Sequence, residues 1–215
     1  MNIERESMKR IFIILAVAFA VTAYSQTTTS RIGAENAEES ESNALWPPEK
    51  IMDIGGLGPG MTVAEIGAGR GRTIVFMAER VGKLGKVYAE DISTEDLQFL
   101  AERCRRAGFG NVETILGDSI DPKLPAGTLD VIFVINAYHH FNDPIALMRK
   151  ARVALKPSGR LVVVEWVKPA SGRGEGTSPE TIKAQMEEAG FVLDRMEKPL
   201  PAPQISVSHF NLRKS

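Results

Sequence analysis

From Thr62 the chain runs through an apolar stretch with a single carboxylate, Val63-Ala64-Glu65-Ile66, straight into Gly67-Ala68-Gly69-Arg70-Gly71. Glycines at 67, 69 and 71 allow a tight turn with positive φ and let a ligand lie against bare main chain. Beyond the turn, Ile74, Val75, Met77, Ala78 and Val81 recur at helical spacing, which predicts a helix over Thr73 to Val81. The turn then sits at a helix N-terminus, where backbone N–H groups lack intrahelical partners. A strand, glycine turn and helix in this order read as a site for a nucleotide cofactor.

The spacing narrows the choice of cofactor. Dinucleotide folds want G-x-G-x-x-G; counted from Gly67, the third glycine would fall at 72, where the chain has Arg72. The pattern present is E-x-G-x-G-x-G, with Glu65 two residues before the first glycine. On these residues the chain resembles the class I S-adenosylmethionine-dependent methyltransferases, whose first motif has that form. The resemblance implies S-adenosyl-L-methionine as cofactor, with Gly67, Ala68 and Gly69 facing its methionine part and Glu65 near its amino group.

Two further acids fall at strand ends. Lys86 to Asp91 reads as a second strand ending in carboxylates, and a carboxylate there can accept hydrogen bonds from both ribose hydroxyls. Alternation from Val87 and Ala89 continues to Asp91, directly before Ile92, so Asp91 is preferred over Glu90. A third strand, Val112 to Leu116, ends in Gly117-Asp118-Ser119; in the resembled family an aspartate at that place accepts a hydrogen bond from the adenine amino group.

From Trp46 onward strand and helix patterns alternate. A helix from Pro48 to Leu57 precedes the first strand, and another starts at Thr94. A fourth strand, Leu129 to Ile135, is continuously apolar, as a parallel strand covered on both faces should be. Asp143-Pro144 opens a helix to Leu155, and Lys156-Pro157-Ser158-Gly159 turns into a fifth strand, Arg160 to Trp166. After a glycine-rich loop, Ser171 to Gly176, one more helix runs to Ala189. Phe191 to Glu197 and Ile205 to Leu212 read as a terminal hairpin. The expected fold is α/β, a doubly wound, mostly parallel seven-stranded sheet with an antiparallel last strand, and the ligand at the carboxyl ends of the strands. The link from Asp118 to Thr128 is short and proline-rich, so a turn is expected there in place of a helix.

Length 215, 43% hydrophobic residues and a net charge of -1 describe one ordinary domain with a sizeable core. Its basic residues form no dense block, so nothing advertises nucleic acid. Ile11 to Ala23 is an apolar run preceded by Lys9-Arg10 and followed by Ala23-Tyr24-Ser25, the layout of a secretory signal over residues 1–25; the alternative is an uncleaved membrane anchor. Residues 26–44 are polar and acidic and read as a disordered linker, leaving 45–215 as the cofactor-binding domain. The expectation is thus an exported, extracytoplasmic protein, or one anchored to the membrane by that segment. Cys104, the lone cysteine, shares a helix face with Leu97, Leu100 and Ala101 and reads as a core residue. No Cys/His cluster has metal spacing, and the oligomeric state cannot be read.

The chemically loaded cluster is Asn136-Ala137-Tyr138-His139-His140-Phe141, directly after the fourth strand, with two of the three histidines. A base at this strand end would face the sulfonium methyl, so His139 or His140 is the candidate catalytic base, with Tyr138 shaping the acceptor pocket and Asn136 on the cofactor side. Ile92 and Ser119 complete the cofactor residues. Members of the resembled family that methylate DNA bases or glutamine side chains carry Asn/Asp-Pro-Pro-aromatic here; both prolines are absent, which argues for a small-molecule acceptor. Two competing readings remain: a protein of the envelope that binds S-adenosyl compounds without transferring the methyl, and a nicotinamide-dependent oxidoreductase, against which Glu65 and Arg72 speak.

Overall fold

Apolar runs that alternate with amphipathic ones leave few ways to bury both, and the structure adopts a sheet covered by helices on its two faces. A computed structural model describes residues 33–167 and 175–213; residues 1–32, and with them the proposed leader and the first part of the linker, lie outside these, as does most of the loop from Ser171. The strands are β1 (Thr62–Ile66), β2 (Lys86–Asp91), β3 (Val112–Leu116), β4 (Leu129–Ile135), β5 (Leu155–Trp166), β6 (Phe191–Glu197) and β7 (Ile205–Leu212). They form one sheet in the order β3-β2-β1-β4-β5-β7-β6. All neighbouring pairs from β3 to β5 are parallel, and β7 runs antiparallel to both β5 and β6. The order reverses between β1 and β4, the switch point where open α/β sheets bind ligands.

Six α-helices accompany the sheet among the described residues: α1 (Ala37–Leu45), α2 (Pro48–Ile54), α3 (Ile74–Val81), α4 (Thr94–Arg106), α5 (Pro144–Ala154) and α6 (Pro179–Glu188). Side-chain alternation along the strands splits the core in two. Ala64, Ile66, Ile132, Val134 and Val163 join Met148 and Ala151 of α5 and Ile182 and Met186 of α6 in one cluster. The other face carries α3 and α4 over β2 and β3. Start signals in the sequence are realised as caps: Ser93, Asp143 and Ser178 accept the amides of Asp96, Ala146 and Thr181. Asp118 to Thr128 contains no helix. Cys104 is buried on α4, which pushes its thiol up to about 11 and leaves it unreactive.

Three extents differ from the sequence reading. α2 ends at Ile54, three residues before the expected Leu57. β5 begins at Leu155, five residues early, because Leu155 already pairs with Leu129 before the register shifts to Val131 and Arg160. The stretch read as disordered is helical from Ala37 to Leu45, although α1 buries no residue of its own. Polar contacts with distant residues hold it: Arg103 on α4 makes two hydrogen bonds to the Glu39 carboxylate, at 2.7 and 3.0 Å, and Arg72 donates to Asn43 Oδ1 at 2.8 Å. Trp46, at the end of α1, is buried edge-on to Trp166 with ring centroids 5.1 Å apart.

Candidate cofactor and acceptor site

A cavity of about 320 Å³ opens over the carboxyl ends of the central strands, a size in the range of small-molecule sites. The ends of β1, β2 and β4 and the turn after β3 supply its walls, so residues far apart in sequence meet there because parallel strands end side by side. Of the predicted residues, Gly67, Gly69, Asp91, Ile92, Asp118, Ser119, Asn136 and His140 line it; Glu65, Ala68, Tyr138 and His139 do not.

The glycine turn is built for close approach. Gly67 has φ +76°, and a Cβ there would come within 2.6 Å of Ala137 Cβ on the opposite wall. Its amide and that of Ala68 bond to the Glu90 carbonyl, at 3.0 and 2.9 Å, which pins the turn to the end of β2. Ala68, which does not line the cavity, serves the turn through that backbone bond. Asp91 Oδ2 accepts the Gly69 amide at 2.8 Å and Oδ1 accepts the Ser93 amide at 2.9 Å, so this carboxylate joins the glycine turn to the start of α4. Ile92 stands 66% exposed at the cavity mouth, a bare apolar surface suited to a planar ring. Asp118 accepts the Ile120 and Asp121 amides, and these bonds hold its carboxyl below the usual range. Asn136 carries φ +54°, rare for a residue other than glycine, as β4 breaks into the next turn.

Three placements correct the sequence reading. Glu65 points away from the cavity toward the first turn of α3, where its carboxylate accepts the Thr73 hydroxyl. Burial pushes it up to about 7 against the opposing effects of that bond and of Arg72. It thus holds strand, glycine turn and helix together instead of facing a ligand. Tyr138 turns into the core at 2% exposure, with its hydroxyl 2.6 Å from Gln185 Oε1, so it does not shape the cavity. The two departures differ in cause: Glu65 lies within β1, where alternate positions point to opposite faces, whereas Tyr138 opens a single helical turn, Tyr138–His140, after β4, where strand alternation no longer sets the side-chain direction. His139 turns toward the end of β5, where its Nδ1 lies 2.9 Å from Glu165 Oε1.

Glu90 was passed over in favour of Asp91, yet it lines the cavity while 2% exposed. A Cβ on Gly117 would strike Glu90 Oε1, so that glycine makes room for the carboxyl. Burial, then the neighbouring Asp91 and Asp118 charges, raise Glu90 to about 8, so a neutral carboxylic acid stands between two carboxylates at neutral pH. Glu65 and Glu90 both titrate higher folded than unfolded, so the folded state binds more protons and stability falls as pH rises. The window opens near 4.5, the unfolded value, and closes near 8. At about 1.4 kcal/mol per pH unit, the Glu65 share alone is on the order of 3 kcal/mol. Urea melts should show wild type losing stability between pH 6 and pH 9, and the double variant Glu65→Gln, Glu90→Gln losing markedly less.

Comparison with known proteins agrees with this geometry. A family model described as a methyltransferase domain matches residues 63–159. A nocamycin O-methyltransferase of Saccharothrix syringae is 33% identical over 139 residues, covering 64% of this chain and 49% of that protein. A ubiquinone/menaquinone biosynthesis C-methyltransferase of Escherichia coli is 32% identical over 126 residues, 58% of this chain and 50% of that protein. The chain therefore spans about half the length of these curated relatives. Among solved structures, a SAM-dependent methyltransferase from Aquifex aeolicus superposes with TM-score 0.69 at 28% identity, over 78% of this chain and 90% of that one. The [4+2]-cyclase SpnF shares the fold alone, with TM-score 0.67 at 15% identity, over 79% of this chain and 81% of that one. The cofactor that belongs with such a domain is S-adenosyl-L-methionine, and the residues present fit it: a turn with no room for a Cβ at Gly67, carboxylates at adjoining strand ends and an apolar lip. In fold, glycine turn and sequence the chain is similar to the class I S-adenosyl-L-methionine-dependent methyltransferases, and residues 63–159 match a methyltransferase domain.

Proposed function

We propose that this protein transfers a methyl group from S-adenosyl-L-methionine to a small molecule. The observation that carries the reading is the convergence of Gly67, Gly69, Asp91 and Asp118 on one cavity. Asp91 would hold the ribose and Asp118 the adenine side, with the methionine part against the glycine turn, and the cofactor would supply an electrophilic methyl group to an acceptor bound near the end of β4. Methyl transfer from a sulfonium asks mainly that nucleophile, carbon and sulfur be aligned, and such placement can supply about 7–11 kcal/mol of a barrier. The relatives' names divide between O- and C-methyltransferases, which supports a small acceptor without choosing the atom. The test is mass spectrometry of small hydroxylated and carbon-acid acceptors incubated with methyl-labelled cofactor. Label in any of them supports the reading; tight cofactor binding with no transfer across the panel would assign a binding module in its place.

The N-terminal layout supports export, with cleavage after Ser25. N-terminal sequencing of the protein from its native host is expected to begin at Gln26 in an extracytoplasmic fraction. Full-length protein in the cytoplasm would contradict it.

A further inference from the structure

We propose that Glu90 binds the adenine of the cofactor as an un-ionised carboxylic acid, donating its O–H to a ring nitrogen, so that it reads the base while Asp91 serves the sugar. This deepens the cofactor reading above and rests on it. Neighbouring residues of a strand point to opposite faces, and at the end of β2 the two acids part accordingly. Asp91 turns to the Gly69 and Ser93 amides. Glu90 takes the other face, level with Ile66 of β1 and Ile115 of β3, and its Oε1 occupies the space that a Cβ on Gly117 would need. Gly117 directly precedes Asp118, the residue assigned to the adenine side, and both acids line the cavity.

The surroundings of Glu90 keep it un-ionised. It is 2% exposed, and its register partners on both neighbouring strands are apolar. Asp91 and Asp118 face it with negative charge, and Lys123 is the one cation acting on it among the described residues. That ammonium is already engaged, bonded to the Leu116 carbonyl and 3.5 Å from Asp118 Oδ2. His140 is the remaining titratable side chain on the cavity wall, which among the described residues carries no lysine or arginine. Three acids that share one wall without a cation cannot all ionise at neutral pH, and the most buried of them keeps its proton. Burial first, then the two carboxylates, raise Glu90 to about 8 accordingly.

A carboxylic acid has one donor that a carboxylate lacks. The Gly67 amide donates to the Glu90 carboxyl and so occupies an acceptor position; among the described residues no group accepts the acid's own proton. A buried donor left without an acceptor is costly, and the open side of this one is the cavity it lines. Adenine offers both halves of the match: amino protons for an ionised carboxylate such as Asp118, and ring nitrogens with lone pairs for the Glu90 O–H. An ionised Glu90 would instead turn a third negative charge toward those lone pairs.

The full chain is titrated calorimetrically with S-adenosyl-L-homocysteine and with its 1-, 3- and 7-deaza analogues, each carrying C–H in place of one adenine ring nitrogen. One of the three is expected to bind wild type about tenfold or more weaker than the parent compound. Glu90→Leu, which has no donor, is expected to bind that analogue and the parent within about threefold of each other. A second readout holds even if Glu90→Leu does not fold. Wild-type affinity for S-adenosyl-L-homocysteine is expected to fall about tenfold from pH 7 to pH 9 as the Glu90 proton is lost, and that of Glu90→Gln, whose amide donates at either pH, by less than about threefold. Deaza losses that all persist undiminished in Glu90→Leu, or coincident pH profiles for wild type and Glu90→Gln, would each overturn the proposal. Failure of wild type to bind S-adenosyl-L-homocysteine at pH 7 would instead overturn the cofactor reading beneath it.

Discussion

Replacing Gly67 by alanine is expected to weaken S-adenosyl-L-methionine binding by about 100-fold or more and to lower the melting temperature. Two costs fall together: a φ of +76° that L-residues tolerate poorly, and a Cβ 2.6 Å from that of Ala137. Neither side can retreat freely, since the turn is bonded to the Glu90 carbonyl and Ala137 follows the left-handed Asn136. Gly69 separates the two costs. A Cβ there meets nothing within 4 Å but still sits at φ +49°, so Gly69→Ala should melt between Gly67→Ala and wild type and also lose affinity, because the new methyl projects from a residue of the cavity wall. Calorimetry and thermal melts on both variants check the pair. Affinity within threefold of wild type in Gly67→Ala would contradict the assignment of the turn.

Asp91→Ala carries the second large effect. Its carboxylate holds the Gly69 and Ser93 amides, and hydrogen bonds to a charged group contribute about 1.5–3 kcal/mol each. Loss of the two backbone bonds lowers the melting temperature, while two ribose hydroxyls bound to the same carboxylate would contribute about 3–6 kcal/mol of binding, a fall in cofactor affinity of about 100- to 10,000-fold. Glu90→Gln is the control. Glu90 is already neutral at pH 7, raised to about 8, so an amide of the same shape should change affinity there by less than about threefold. The opposite ranking in calorimetry would move the ribose to Glu90.

Much of this was legible in the sequence because it is local. The glycine spacing after β1, the continuous apolar run of β4 and the acids at the ends of β2 and β3 each sit within a few residues of the structure they announce. What escaped depends on pairings across the chain. Arg103 and Glu39, 64 residues apart, order a helix with no apolar stripe that a window of sequence reads as solvated. His139 and Glu165 are 26 residues apart and meet only because β4 and β5 are parallel neighbours. Tyr138 and Glu65 were misplaced for other reasons. One position along β1 exchanges one face for the other, and after β4 a helical turn replaces strand alternation; no local signal records either.

The central claim is that one cavity, walled by Gly67, Gly69, Asp91 and Asp118, holds the adenosyl cofactor. Isothermal titration calorimetry of the purified chain against S-adenosyl-L-methionine and its demethylated product tests it most directly, with NAD as the comparison. The account predicts saturable one-to-one binding of both S-adenosyl compounds, abolished in Asp91→Ala, and none of NAD. A folded protein that binds neither S-adenosyl compound, or binds both as tightly after Asp91 is removed, would contradict it.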